Sequence, residues 1–207
     1  TAVSADGPLN IINAVKAATD AASAGQGVLV MMNDEIYNGR DVTKTNTANV
    51  ATFKAPNGGP LGFIVGGEVH YYYRSLRPHT LQSEFDVSGV TALPRVDIIY
   101  THIGEDRVFV DAALAAGARG IIYAGSGMGS IHEAVEAALA EAVGRGVVVV
   151  RSSRTGSGIV AAGLERWQEQ GFLYADNLNP QKARLLLQLA LLRTQERSEV
   201  QDIFKRY

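Results

Sequence analysis

A polar segment at residues 33–49 carries the side chains best suited to acid–base chemistry. Within it lie three carboxylates and one lysine: Asp34, Glu35, Asp41 and Lys44. The segment follows a predicted buried strand at 27–32, and open α/β sheets bind ligands at the carboxyl ends of their strands. Lys44 could therefore act as a base whose pKa is lowered, or as an anchor for an anion. The alternative is an ordinary solvated loop lysine.

A second candidate is the glycine-rich turn at residues 125–130, Gly-Ser-Gly-Met-Gly-Ser, between a predicted strand and a predicted helix. Phosphates bind at such positions. A dinucleotide fingerprint, however, ends in Gly or Ala where this chain has Ser130, and requires an acidic residue near 147–150, where all four residues are valine. The favoured alternative is a tight turn in which Ser130 caps the following helix and Glu133 completes a capping box.

The remaining candidates give weaker signals. Residues 151–154, Arg-Ser-Ser-Arg, close a predicted strand and could either bind an anion or form a salt-bridged strand end. The sequence has no cysteine, and its histidines do not follow the spacing of a metal-binding motif. We therefore expect neither a metal nor a cofactor.

Composition narrows the class of protein. The chain has 207 residues, a formal net charge of −2, 46% hydrophobic residues and 19% charged residues. These values predict a packed core, and the balanced charge favours neither a nucleic acid nor a membrane as partner. No apolar run is long enough for a membrane span.

The elements that must position these residues fall into two blocks. The first, at 1–79, begins with a predicted helix after Asp6, continues with the strand at 27–32, and contains a hairpin around Gly66 and Gly67. Because it opens on a helix and has one strong strand, it reads as a sheet domain whose first strands are missing. Residues 80–94 form a predicted linker.

The second block, at 95–207, alternates apolar strands with helices. This pattern is typical of a parallel sheet whose two faces are covered by helices. Asn179 is a predicted N-cap, with Pro180 in the first turn of its helix, and Ser198 with Gln201 forms a predicted capping box for the last helix. The predicted fold class is α/β, with open parallel sheets and flanking helices.

Several segments, in order and at matching spacing, resemble the bacterial type II L-asparaginases and glutaminase-asparaginases over essentially the whole chain. They are TAVSADGPLN (1–10), MND (32–34), GRDVTKT (39–45), FK (53–54), GPLG (59–62), RSSR (151–154) and LNPQKAR (178–184). The resemblance implies the remainder of a larger N-terminal domain followed by a smaller flavodoxin-like C-terminal domain. It also implies hydrolysis of the side-chain amide of L-Asn, and in some members of L-Gln, through an acyl-enzyme on a threonine.

The family's Thr-Gly-Gly-Thr and His-Gly-Thr-Asp motifs, which supply that threonine and its Thr–Asp partners, do not occur in this sequence. The chain begins at Thr1 without a visible targeting segment, so we expect it to be processed or part of something longer, with the nucleophile upstream. By itself it is expected to be inactive. A non-catalytic amino-acid-binding module and a nucleotide-binding α/β domain are the alternatives.

Three positions carry the family's functional residues. Lys44 matches the catalytic lysine, Ser130 matches a residue lent to the neighbouring subunit's site, and Glu165 matches a carboxylate that contacts the substrate's amino group across the dimer. Glu169 is the alternative to Glu165, because the local spacing varies between members, and Trp167 matches no family role. The resemblance further implies a homotetramer built from tight dimers. It implies a periplasmic or secreted location, with the cytoplasm left open.

Overall fold

The computed structural model describes residues 3–207, so the two residues that open the first matched motif lie outside the described residues. The chain divides into two compact units, of which the first ends at Ser83 and the second is Glu84–Tyr207. This division falls within the stretch 80–94 that was predicted as a linker. The domain limits drawn from the sequence stay a prediction.

The first unit combines one α-helix with short strands. In chain order these elements are α1 (Gly7–Thr19), β1 (Leu29–Met32), β2 (Glu35–Asn38), β3 (Thr43–Lys44), β4 (Phe53–Lys54), β5 (Gly62–Val65) and β6 (Glu68–Tyr71). One sheet has the strand order β1-β2-β5-β6, and β3 pairs with β4 in a separate two-stranded ribbon. The helix and the hairpin predicted from the sequence are present.

The sheet of the first unit is antiparallel throughout, so the expectation of a parallel sheet is wrong for this block. The reason is the turn between β1 and β2. Asn33 and Asp34 both adopt left-handed backbone conformations, with φ of 53° and 60°. A turn of two residues in that conformation can only return the chain antiparallel. Gly66 and Gly67, with φ of 62° and 84°, connect β5 to β6 in the same way.

The apolar stripe of α1 lies at the surface. Leu9, Ile12 and Val15 are 50%, 53% and 59% exposed, whereas Asn13 and Ala17 are buried. The helix therefore packs on its own sheet through small and polar side chains.

The second unit is a layered α/β structure. Its elements are β7 (Val96–Tyr100), α2 (Val108–Ala115), β8 (Gly120–Gly125), α3 (Glu133–Gly144), β9 (Val148–Ser153), α4 (Glu165–Glu169), β10 (Leu173–Tyr174), α5 (Pro180–Ala190) and α6 (Arg197–Arg206). The sheet has the strand order β10-β9-β8-β7, and every pairing in it is parallel. The α/β class with a parallel sheet flanked by helices is thus confirmed.

Alternate residues of the central strand β8 face opposite layers. Ile121 and Tyr123 belong to a core cluster shared with α2 and α3, whereas Ile122 belongs to a cluster shared with α5 and α6. All three side chains are fully buried. Because helices cover both faces of this sheet, ligands can reach the second unit only at the loops that follow its strands.

Of the caps predicted for α5 and α6, the first is confirmed and the second is wrong. Asn179 accepts a hydrogen bond from the Lys182 amide at 3.0 Å, as an N-cap does. The last helix begins one residue before Ser198, and Gln201 instead bonds to the backbone N and O of Tyr174 in β10. A long-range contact takes the side chain that the local capping pattern assigned to the helix.

No helix in the described part of the chain is long and apolar enough to cross a membrane.

These two positions make a matched stability test. Asn179→Ala should lower the free energy of unfolding by about 1 kcal/mol, because it removes the side-chain partner of an orphan helix amide. Ser198→Ala should change it by less than about 0.5 kcal/mol, since an exposed serine inside the first turn caps nothing. Chemical denaturation of both variants measures the difference. Equal losses for the two variants would contradict the cap assignment.

Candidate functional site

Lys44 lies in the two-stranded ribbon of the first unit. In the β3–β4 register Thr43 pairs with Lys54, and Lys44 pairs with Phe53. Its side chain is exposed, and its Nζ atom lies 6.0 Å from the centroid of the Phe53 ring. Among the described residues, no carboxylate lies within ion-pair distance of this amine. The ribbon therefore presents an amine that is not engaged in a salt bridge with any described residue.

The neighbouring lysine of the ribbon is paired. Lys54 donates to Glu35 Oε2 at 2.7 Å, and the Tyr37 hydroxyl donates to the same oxygen at 2.5 Å. Burial raises the pKa of Tyr37 well above its usual value, and the hydrogen bond and the negative charge of Glu35 raise it further. Tyr37 therefore stays protonated and acts as a donor in this cluster.

The other two carboxylates of the polar segment are engaged elsewhere. Asp34 accepts from Asn13 Nδ2 at 2.7 Å, and Asp41 forms an ion pair with Arg40 at 2.6 Å. The structure does not gather the carboxylates grouped by the sequence around Lys44. The argument that placed Lys44 at the carboxyl end of a parallel strand also fails, because its surroundings are antiparallel.

The glycine-rich turn lies at the carboxyl end of β8, at the edge where parallel sheets bind ligands. It closes on itself through the Ser130 amide, which donates to the carbonyl of Ser126 at 2.9 Å. Ser153, at the end of the adjacent strand β9, donates from Oγ to the Gly127 carbonyl at 2.5 Å. A Cβ at Gly125 would lie 2.4 Å from the Ser130 carbonyl oxygen, so this crossing requires glycine. Ser130 itself is exposed.

The prediction that Ser130 caps α3 is wrong. The N-cap is His132, whose Nδ1 accepts from the Ala134 amide at 3.3 Å. Because the Ser130 backbone closes the glycine turn, the helix starts only at Glu133. The Ser130 hydroxyl is thus not used as a cap, and it forms no hydrogen bond within the described part of the chain.

A buried polar cluster supports the end of the turn. The Tyr123 hydroxyl accepts from the His132 amide at 3.3 Å and donates to Glu105 Oε1 at 2.7 Å. Thr101 also donates to that carboxylate, at 2.5 Å. Burial is the main cause that raises the pKa of Tyr123 to about 12. The turn that presents Ser130 therefore ends on an anchored residue.

Arg151 is fully buried in β9, and its hydrogen bonds go to carbonyl groups rather than to a carboxylate. Nη1 donates to the Gly129 carbonyl at 3.3 Å, and Nη2 donates to the Ala162 carbonyl at 2.7 Å and also to that of Ala161. Burial lowers the pKa of Arg151 to about 10, which leaves the guanidinium charged at neutral pH. The predicted salt-bridged strand end is therefore wrong for this residue.

Trp167 in α4 lies against this guanidinium, with Arg151 Cζ 4.6 Å from its ring centroid. Its indole N–H donates to Glu136 Oε2 at 3.1 Å, and Glu136 also accepts two hydrogen bonds from Arg166 at 3.0 and 3.2 Å. Burial opposes ionisation of Glu136, but the hydrogen bonds from Arg166 and Trp167 outweigh it and lower the pKa. These contacts fix α4 to α3.

Glu165 and Glu169 lie at the first and last positions of α4, and both are exposed. Ser130 follows Gly129 directly, and Glu165 follows the segment whose carbonyls Arg151 holds. The structure thus places Ser130 and Glu165 on two segments that bond to one guanidinium. Sequence reasoning missed this arrangement, because nothing in the sequence pairs Arg151 with Trp167. The only signal was the single tryptophan of the chain, for which no role was found.

No group of histidine, aspartate and glutamate side chains that could hold a metal ion occurs within residues 3–207. The chemistry available at these sites is that of an amine, a hydroxyl and a carboxylate.

Each of the two units of this chain matches a known protein-family model. The family model "Asparaginase, N-terminal" matches residues 1–77, and "Glutaminase/Asparaginase C-terminal domain" matches residues 95–204. The chain is 47% identical to L-asparaginase 2 of Escherichia coli (strain K12) over 100% of its own length. It is 44% identical to the "Probable L-asparaginase periplasmic" of Haemophilus influenzae over 99% of its length.

Among solved structures, the chain is similar to a probable cytoplasmic L-asparaginase from Campylobacter jejuni. The TM-score is 0.96 at 42% identity, and the match covers 100% of this chain and 67% of that one. The chain spans 60% and 59% of the length of the E. coli and H. influenzae relatives.

The hydrogen bonds to the ionised Glu136 predict how the stability of the second unit depends on pH. Glu136→Gln should lower the free energy of unfolding at pH 7 by about 1–3 kcal/mol, because it removes a charged acceptor of three hydrogen bonds from Arg166 and Trp167. A glutamate whose pKa is lowered on folding stabilises above its unfolded pKa of about 4.3, and that stabilisation is lost as the pH falls through the folded pKa. The difference from wild type should therefore shrink below about pH 4.

Urea denaturation between pH 3 and pH 7 measures this difference, with Glu169→Gln at the exposed end of α4 as the control. A difference that is constant over this range would contradict the ionised role of Glu136.

Proposed function

This chain belongs to the glutaminase/asparaginase family, and from that premise we propose that it forms part of an L-asparaginase. The reaction is hydrolysis of the side-chain amide of L-asparagine to L-aspartate and ammonia, with L-glutamine as the second candidate substrate. The observation that carries the proposal is the match of both units to family models. The three residues to which the resemblance gives a functional role, one lysine and two other polar residues, are all exposed, as such roles require.

Amide hydrolysis of this kind proceeds in two displacements. A threonine hydroxyl attacks the side-chain amide carbon and loses its proton to a base, and the C–N bond breaks as ammonia leaves with a proton. Water then attacks the ester, which releases aspartate and restores the hydroxyl. The threonine is proposed to come from a segment that carries the family's threonine motifs, since neither motif occurs in these 207 residues.

Lys44 is the proposed base in this reaction. A lysine can remove a proton only when its own proton is shared or its pKa is lowered by its surroundings. Its amine is not held by an ion pair within the described residues, in contrast to Lys54 on the paired strand, which is bonded to Glu35. That difference supports Lys44 as the reactive lysine and Lys54 as a structural one.

Ser130 and Glu165 are the proposed substrate-binding residues. The Glu165 carboxylate would bind the α-ammonium group through a charge-assisted hydrogen bond. Ser130 has a hydroxyl not used as a cap, and it lies just before α3, whose N-terminus favours an anion such as the α-carboxylate. Following the family resemblance, both residues are proposed to act in the site of a neighbouring subunit, in a tetramer of tight dimers.

Two further points stay predictions. The H. influenzae relative is named periplasmic and the C. jejuni protein cytoplasmic, and a periplasmic or secreted location is proposed for this chain. A nucleotide-binding role is less well supported than amide hydrolysis, because the Ser130 amide of the glycine turn is engaged by Ser126 and not free for a phosphate.

The proposal is tested by ammonia release from L-asparagine. The 207-residue chain alone should release none, and its combination with a segment that carries both threonine motifs should be active. In that active assembly Lys44→Met should lower kcat by roughly 10²–10⁴, which is the usual scale for loss of acid–base assistance. The melting temperature should change little, because the side chain is exposed.

Lys54→Met is the matched control. Its substitution removes a partly exposed ion pair, so kcat should stay within about threefold while stability falls by no more than about 1 kcal/mol. An unchanged kcat in Lys44→Met with a lowered melting temperature would refute the catalytic role. Ammonia release by the chain alone would refute the assignment of the nucleophile.

The role of Glu165 is tested with two substrates. Glu165→Gln should raise KM for L-asparagine about tenfold or more, because a charge-assisted hydrogen bond contributes about 1.5–3 kcal/mol. Succinamic acid, which lacks the α-amino group, should be affected hardly at all. Glu169→Gln should change neither value. Equal effects on both substrates would rule out an α-amino contact, and an effect of Glu169→Gln alone would move the role to Glu169.

A further inference from the structure

We propose that Arg151 is the positioning residue of the substrate-binding half of this site, because one guanidinium holds both the turn that presents Ser130 and the segment that presents Glu165. The inference rests on the proposed function for its claim about substrate. The hydrogen bonds from Arg151 to the two segments, which we call the Arg151 tie, are observed independently of that function.

The tie is formed by carbonyl groups from two separate segments. Gly129 O, one residue before Ser130, accepts from Nη1 at 3.3 Å, whereas Ala162 O, three residues before Glu165, accepts from Nη2 at 2.7 Å. The two acceptors come from the loops that follow β8 and β9. The planar guanidinium group directs donors on separate nitrogen atoms toward the two loops, whereas a lysine concentrates its donors on one nitrogen atom.

Burial of the Arg151 charge without a carboxylate partner costs free energy. An apolar side chain would fill the same space without that cost, so the arginine has a role beyond packing. A buried charge must be compensated by hydrogen bonds, and here carbonyl dipoles and the Trp167 ring supply that compensation. Arg151 Nε has no hydrogen-bond partner, so even this site leaves one donor unsatisfied. A methionine of similar length would avoid the cost of the charge, but it would leave the carbonyls of both loops without their donor.

The second loop closes tightly onto the guanidinium at Gly163. This residue has φ of 78°, and a Cβ there would lie 2.8 Å from Arg151 Nη2 and 2.9 Å from the Trp167 ring. The chain therefore passes directly over the Arg151–Trp167 stack before it enters α4. The position of Glu165, two residues later, depends on that contact.

Trp167 couples the same stack to the helix that follows the glycine turn. Its indole N–H bonds to Glu136 of α3, while its ring carries the Arg151 guanidinium. The two presenting segments are thus joined at Arg151 and again through α3 and α4. Loss of Arg151 should let Ser130 and Glu165 move relative to each other without changing Lys44, which belongs to the first unit.

The first test is hydrogen exchange on the 207-residue chain, which needs no activity. Arg151→Met should speed amide exchange at least about tenfold in residues 126–130 and 161–165, with the amides of β7 and α5 unchanged, because only local openings become easier. Arg119→Met makes the same chemical change at an exposed position and should leave both segments unchanged. If Arg151→Met does not fold, Arg151→Lys is measured instead, because it keeps the charge but loses the fork.

The second test is steady-state kinetics of the active assembly with L-asparagine. Arg151→Met should raise KM about tenfold with kcat within about threefold, because substrate binding is lost while the chemical step at Lys44 is kept. Arg151→Lys should give an intermediate KM. A uniform speeding of exchange throughout the second unit would overturn the proposal as a merely structural effect, and so would unchanged exchange in the two segments.

The kinetic outcomes separate this inference from the proposed function. If Glu165→Gln raises KM and Arg151→Met does not, Arg151 is not a positioning residue. If neither Glu165→Gln nor Ser130→Ala raises KM, the assignment of the substrate-binding residues is wrong. In that case faster amide exchange of Arg151→Met in residues 126–130 and 161–165 still supports the Arg151 tie, and unchanged exchange there overturns it.

Discussion

The second unit depends on a positive charge that is buried without a negative partner. Water would solvate the Arg151 guanidinium strongly, so the fold must replace that solvation with several oriented groups at once. It does so with carbonyls of two loops and the face of Trp167. This requirement explains why glycine stands at position 163, where the loop touches the guanidinium, and why the loops at the carboxyl edge of the sheet are held against each other.

The two units contribute different chemistry. The second has fully covered sheet faces and presents the exposed Ser130 hydroxyl from a loop at a strand end and the exposed Glu165 carboxylate from the start of α4. Such a pair of groups suits recognition of an amino acid. The first has a short antiparallel sheet, an exposed apolar stripe on α1 and a lysine on a narrow ribbon. The proposed function accordingly places acid–base chemistry in the first unit and substrate recognition in the second.

What could be predicted from the sequence follows the range of the interactions involved. The parallel sheet was predictable because its strands are continuous apolar runs, and the Asn179 cap was predictable because its partner lies three residues away. The predictions for Ser130 and Gln201 failed because a turn closure and a distant strand take the groups that local capping would use. The antiparallel first sheet was missed at Asn33, since a left-handed asparagine is not evident from polarity alone.

The candidate site shows the same limit. The resemblance supplied the proposed roles of Lys44, Ser130 and Glu165. For Arg151, the sequence shows the donors of its hydrogen bonds but not their acceptors. Carbonyl acceptors belong to the backbone, and therefore no residue type marks them. Trp167, the single tryptophan of the chain, was the one sequence signal of its contact with Arg151. Only the structure, which places its ring against the guanidinium, indicates what it does.

The proposed function requires that Lys44 of one subunit and Ser130 and Glu165 of its neighbour contact one amino-acid ligand. A crystal structure of the active assembly with bound L-aspartate tests it directly. We expect the Glu165 carboxylate to lie within about 3 Å of the α-ammonium group and Ser130 to lie near the α-carboxylate. Lys44 Nζ should lie within reach of the nucleophilic hydroxyl. L-aspartate bound with Glu165 and Ser130 pointing away from it, or Lys44 in an ion pair remote from the ligand, would contradict it.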